Sequence, residues 1–77
     1  MSLQEEIIKA IADTLDVEAA EIEAGKKLYD SIGVDSTEMV ELAVSLGKKF
    51  GVKIAASDIT KFSTPLEIAA LIEKRKQ

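Results

Sequence analysis

Three helix starts are written into this chain in the same grammar. Ser2 is followed three residues later by Glu5, Asp35 by Glu38 and Thr64 by Glu67. In each pair the first side chain can accept a hydrogen bond from the N–H at the third helical position, while the glutamate reaches back to the cap's own N–H. The third start also carries Pro65 at the first helical position, where a missing N–H costs nothing. Apolar residues at helical spacing follow every start. After Ser2 they are Leu3, Ile7, Ile8, Ile11, Ala12 and Leu15. Asp13 and Asp16 then oppose the helix dipole, so the helix is predicted to stop there. After Asp35 a broad apolar face runs through Met39, Val40, Ala43, Val44, Leu46, Gly47 and Phe50, with Gly51 as the C-terminal cap. After Thr64 the stripe is Leu66, Ala69, Ala70 and Ile72, widened by Ile68 and Leu71. Lys74, Arg75 and Lys76 stand at the end where the dipole favours cations.

Between the first two helices the pattern loosens. Val17, Ile22, Leu28, Tyr29, Ile32 and Val34 are apolar without a period, and Gly25 and Gly33 supply turns. A connection this long is either functional or well anchored. Its scattered apolar residues suggest anchoring across the open side of the helices, and a plain connector fits the same residues. Asp30-Ser31 reads as a turn. Val52-Lys53-Ile54 is extended but has no strand to pair with. Ser57-Asp58 is predicted to cap a brief helical turn through Lys61. The expected fold is all-α: a small four-helix bundle, three main helices plus one short one, with a long first loop. The 77 residues are expected to form a single domain, 1–77.

Composition narrows the chemistry. The chain has no His and no Cys. It therefore lacks the usual general acid–base group at neutral pH, a thiolate nucleophile, a zinc site and any disulfide. No catalytic residue and no metal site is expected. With 10 basic against 14 acidic residues, it lacks the footprint of a nucleic-acid binder. No apolar run approaches a membrane span, and the first residues do not form a signal peptide, so a cytoplasmic protein is expected. The apolar fraction of 47% supports a compact core, with only two Phe, one Tyr and no Trp to build it. Charge is unevenly placed: 11 acidic and 3 basic residues precede Leu42, and 3 acidic and 7 basic follow from there. Such asymmetry steers partners to one end of a molecule.

The unusual spot is Gly33-Val34-Asp35-Ser36. It sets a hydroxyl between a glycine turn and a helix start. Unpaired N–H groups and the positive end of the dipole favour an anion there. Asp-Ser at a helix start is also an ordinary cap. Other constellations fail. Asp30 to Glu41 has the length of a calcium loop, but Ile32 and Val34 stand where oxygen ligands are needed. Gly33-Val34-Asp35-Ser36-Thr37 is not a nucleophile elbow, and the chain has no His to activate a serine. Lys74-Arg75-Lys76 is short and reads as helix-end capping.

The run from Ser31 to Leu42 resembles the attachment motif of acyl carrier proteins. In that family a Gly-x-Asp-Ser sequence opens the second helix, and its serine carries a 4'-phosphopantetheine arm that holds acyl groups as thioesters. Ser36 matches the modified serine, Asp35 the acidic residue before it and Gly33 the turn glycine. Val40-Glu41-Leu42 matches the Val-Glu-Leu that follows. Ile22 and Leu28 in the first loop, Phe50 to Ile54, and Phe62 to Leu66 extend the resemblance over nearly the whole chain.

The resemblance implies a carrier without turnover of its own. A phosphopantetheinyl transferase would load it, and acyl-loading and acyl-accepting enzymes of fatty acid, lipid or polyketide synthesis would use it, most simply as a monomer. Docking is then expected on Asp35, Glu38, Met39 and Glu41. Met39, Val40, Ala43, Leu46, Ile54, Ala69 and Ile72 are most simply core; in the family, residues of this kind also line an acyl cleft, and core alone and core plus cleft both fit. Two departures stand out. Thr37 occupies a usually apolar position. Gly47-Lys48-Lys49 stands where fatty-acid-synthesis carriers tend to be acidic, which favours a specialised carrier. An aminoacyl or peptidyl carrier, and an unmodified helical interaction domain, are the alternative readings.

Overall fold

The structure, a computed structural model, describes residues 2–76. Its α-helices are α1 (Leu3–Leu15), α2 (Leu28–Ile32), α3 (Ser36–Phe50) and α4 (Pro65–Lys76), with 3-10 turns at Ala19–Glu21 and Ala56–Asp58. No strand occurs among the described residues.

All three capping boxes form. Ser2 and Glu5 close the start of α1, and Asp35 and Glu38 that of α3. At α4 every early N–H is accounted for. Pro65 has none, Leu66 donates to the Ala24 carbonyl (3.1 Å) and Glu67 donates to Thr64 Oγ1 (3.1 Å). The Thr64 N–H is taken in return by Glu67 Oε1 (2.8 Å). The long first loop thus supplies part of the cap of the last helix. Helix α1 does stop near Asp16, and its geometry adds a cause beyond the dipole. Asp16 adopts the left-handed conformation (φ 56°, ψ 49°) and donates its N–H to Ala12. Asp is among the few side chains that tolerate this turn.

The short α-helix is not where the sequence placed it. The brief turn expected to run from a Ser57-Asp58 cap through Lys61 is instead the 3-10 turn Ala56–Asp58, with Ala55 at its N-cap, and the fourth α-helix is α2, in a segment without a period. Five residues are too few to show a period, and tertiary bonds hold them. Leu28 and Tyr29 donate their N–H groups to the Ser63 (3.1 Å) and Lys61 (2.8 Å) carbonyls. Leu28 is fully buried. Ile22, Leu28 and Val34 anchor the long connection in the core, whereas Tyr29 stays half exposed.

Helix α1 packs against both α3 and α4. Each helix brings an i, i+4 aliphatic pair to the shared core: Ile7 and Ile11, Leu42 and Leu46, Ile68 and Ile72, all fully buried. The apolar faces are narrower than the sequence implied. Val40 and Val44 on α3, and Leu66 on α4, are about half exposed, and Ala70 is exposed. At about 100° of rotation per residue, these positions lie roughly 80–120° from the core direction set by Met39 and Ala43, or by Pro65 and Ala69. They are apolar but they face outward.

Candidate functional site

Ser36 is the first residue of α3, and its place is fixed from both sides. Gly33 ends α2 in the left-handed conformation (φ 64°), donating its N–H to the Tyr29 carbonyl (3.1 Å). A Cβ there would meet nothing within 4 Å, so the backbone angle, not space, requires glycine. Val34 then plugs into the core, and Met39, 3% exposed, does the same one turn into α3. Between these anchors Asp35, Ser36 and Thr37 are held at the surface.

The cap leaves the helix end partly open. Asp35 Oδ1 accepts from the Glu38 N–H (2.8 Å), and Glu38 Oε1 accepts from the Asp35 N–H (3.1 Å). The Met39 N–H begins the helical ladder at the Asp35 carbonyl (3.1 Å). The N–H groups of Ser36 and Thr37 lie outside this scheme, and the Ser36 hydroxyl takes no part in it. Both N–H groups belong to a 15-residue helix, whose dipole adds to their pull on an anion. This arrangement suits an anion at Ser36: an exposed residue beside open donors.

Beside Ser36 a pocket of about 340 Å³ opens between α3 and the loop before α4. Ser36, Met39 and Val40 form one wall, and Ile59, Lys61 and Phe62 stand across from them. A separate hollow of about 420 Å³ lies farther along α3, between Ala43 and Gly47 on one side and Val52 and Ile54 on the other. The cleft candidates therefore divide. Met39 and Val40 flank the serine, Ala43 and Ile54 line the second hollow, and Leu46, Ala69 and Ile72 belong to the core. Ile59, Lys61 and Phe62 were missed as a group. Ile59 is a lone apolar residue in a polar stretch, and only the folded chain brings it to Ser36.

The exposed face of α3 carries its charges in order. Asp35 and Glu41 are exposed and Glu38 is partly so. Met39, expected to dock with them, is buried and turns away from that face. In its place Val40 and Val44 present the apolar surface. Lys48 and Lys49 follow, on the last turn. Glu41, Val44 and Lys48 rim a hollow of about 530 Å³ with Thr14 and Ser45, whose hydroxyls meet at 2.7 Å. No group of acidic side chains suited to a metal ion occurs among the described residues. Among the described residues no helix is long and apolar enough to cross a membrane.

Comparison with known proteins bears on this geometry. Residues 5–72 match the family described as the phosphopantetheine attachment site. The chain is 34% identical over 76 residues to the acyl carrier protein of Solidesulfovibrio magneticus, spanning 99% of this chain and 97% of that one. It is 34% identical over 79 residues to the acyl carrier protein of Thermotoga maritima, spanning 97% and 98%. It is 37% identical over 78 residues to the meromycolate extension acyl carrier protein of Mycobacterium tuberculosis, spanning 96% of this chain and 68% of that protein.

Proposed function

The chain belongs to the phosphopantetheine attachment-site family of acyl carrier proteins, and from that premise we propose that Ser36 is its attachment residue and that it serves a specialised acyl carrier role. The observation that carries the assignment is the exposed Ser36 hydroxyl at the open end of α3, beside an apolar-walled pocket. The 4'-phosphopantetheine arm, when attached, supplies a thiol on which acyl groups are held as thioesters. The chain's own residues do the rest. Gly33 and Val34 set the serine at the surface, and the N–H groups of Ser36 and Thr37 favour the phosphate. With no His or Cys in the chain, activation of the Ser36 hydroxyl falls to the phosphopantetheinyl transferase. The carrier itself has no catalytic turnover.

Partner enzymes that load and accept acyl groups are read as docking on the exposed face of α3. Asp35, Glu38 and Glu41 attract a cationic rim near the arm, Val40 and Val44 supply apolar contact, and Lys48 and Lys49 favour an anionic group about 10 Å farther along the helix. A partner with a uniformly basic patch fits this face poorly, which supports a pathway other than housekeeping fatty acid synthesis. The similarity to a carrier named for meromycolate extension agrees with a specialised role. We read the protein as a cytoplasmic monomer, a single copy leaving this face free.

Co-expression with a broad-specificity phosphopantetheinyl transferase, followed by intact mass, tests the assignment. One arm is expected on the wild type and none on Ser36→Ala. An unmodified wild type, or an arm that survives the substitution, would reject it. Loading the modified protein with competing acyl and aminoacyl synthetases then separates an acyl from an aminoacyl carrier.

A further inference from the structure

Two of the chain's three aromatic residues lie at the surface and in contact. Tyr29, 50% exposed, and Phe62, 53% exposed, meet edge to face with ring centroids 5.8 Å apart. Exposed aromatics in an aliphatic protein call for a reason, and the Lys61 ammonium supplies one. Its Nζ lies 5.2 Å from the centroid of Tyr29 and 5.5 Å from that of Phe62, so both rings hold it. Lys27 also approaches Phe62, at 5.9 Å, but it does not line the Ser36 pocket.

The backbone beneath Lys61 is equally fixed. Its carbonyl accepts from the Tyr29 N–H at 2.8 Å. The Thr60 N–H donates to Ser63 Oγ (3.0 Å), the Phe62 N–H to Thr60 Oγ1 (3.1 Å) and the Ser63 N–H to the Thr60 carbonyl (2.9 Å). The cation has no carboxylate to neutralise it: the ion pairs among the described residues are Lys26–Glu23 and Arg75–Asp58. Lys61 thus stands, unpaired and held in place, on the wall of the pocket that Ser36 opens.

A phosphodiester on Ser36 enters an awkward field. Asp35 and Glu38 flank it with negative charge, and the two open N–H groups relieve it from the helix side only. We propose that Lys61 is the positioning cation for that phosphodiester, with Tyr29 and Phe62 orienting its ammonium toward the pocket mouth and so directing the first segment of the arm along the pocket. This rests on Ser36 as the attachment residue. Lys61 is a positioning residue, since it touches the phosphate and not the reacting thioester.

Nuclear magnetic resonance of the full-length protein with and without the arm tests it. In the wild type, the Lys61 ε-methylene resonance is expected to move between the unmodified and modified forms. The phosphorus resonance of the modified form is expected to shift as sodium chloride rises from 0.1 to about 1 M, where the screening length falls from about 10 to about 3 Å. Lys61→Gln should abolish that salt dependence, and Lys61→Arg should restore it. Matching amide spectra of the unmodified forms establish that each variant is folded, and the wild-type comparison needs no variant at all. An unmoved Lys61 resonance, or a phosphorus resonance indifferent to Lys61→Gln, would overturn the proposal while leaving the attachment at Ser36 intact. Intact mass separates the two, because a wild type that takes no arm defeats the attachment itself.

Discussion

Gly47 and Gly25 show how the same residue type meets opposite demands. Gly47 sits inside α3, where glycine costs about 1 kcal/mol against alanine. A Cβ there would stand 2.9 Å from the Val52 carbonyl oxygen, and the Val52 N–H donates to the Gly47 carbonyl at 3.1 Å. The chain leaving α3 doubles back onto the helix at this point, and only a hydrogen fits between them. In the sequence this glycine belongs to the apolar face of the helix and to a break in an acidic one, whereas the fold gives it a steric duty. Gly25 has no neighbour within 4 Å of a Cβ and no left-handed angle. Gly47→Ala is expected to lower stability by about 1 kcal/mol net, overpacking of 1–3 kcal/mol outweighing the gain in helix propensity. Gly25→Ala is expected to raise it by roughly 0.4–1 kcal/mol through the unfolded chain. Urea unfolding of the two variants checks both signs.

At the scale of the element, α3 does two things with one set of residues. Its cap positions Ser36, and its outer face is the proposed docking surface. Asp35→Ala removes the acceptor for the Glu38 N–H and should cost about 1 kcal/mol in thermal or urea unfolding. Modification of Ser36 should slow as the helix start loosens, measured as the initial rate of arm transfer. Lys48 and Lys49 lie on the exposed last turn, clear of the core. The double substitution to Glu sets two carboxylates against the helix dipole and should lower stability by about 1 kcal/mol in urea unfolding. It should change association rates with partner enzymes by tenfold or more at low salt, an effect that fades as salt rises. Stopped-flow binding over a salt series reads both. Helix α2 works differently. Its five residues have little stability of their own, and the Ser63 and Lys61 carbonyls hold it so that Gly33 can turn the chain toward Ser36.

For the molecule as a whole, one ion pair ties the end of α4 to the loop that follows α3. Arg75 Nη1 on α4 donates to Asp58 Oδ2 at 2.6 Å and to the Lys53 carbonyl at 2.8 Å. The Arg75 hydrogen bond, followed by the Ala55 N–H, holds the Asp58 carboxyl below its ordinary value. A carboxyl depressed in the folded state adds stability above its unfolded value, about 3.9. That contribution is lost as pH falls through the folded value. Wild type and Asp58→Asn should therefore differ in thermal midpoint near neutral pH and converge in strong acid. The difference should be small, because the pair is exposed to solvent.

The three long helices were legible because their signals are local. A cap, a period of 3.6 and a terminating glycine or cationic turn all lie within one stretch of chain, so Ser2, Asp35, Thr64 and Gly51 marked their places without knowledge of the rest. The place of Ser36 at the start of the second long helix was legible for the same reason, its motif being contiguous. The remainder depends on contacts far apart in sequence. Helix α2 is held by carbonyls more than thirty residues away. The outward turn of Val40, Val44 and Leu66 depends on where neighbouring helices pack, because an apolar residue next to a core stripe has no local mark of its side. The pocket at Ser36 exists only where Ile59, Lys61 and Phe62 return to α3. The sequence alone determined where the three long helices run and which hydroxyl opens the second of them. Tertiary structure decided what surrounds that hydroxyl, because packing and charge act through space and capping acts along the chain.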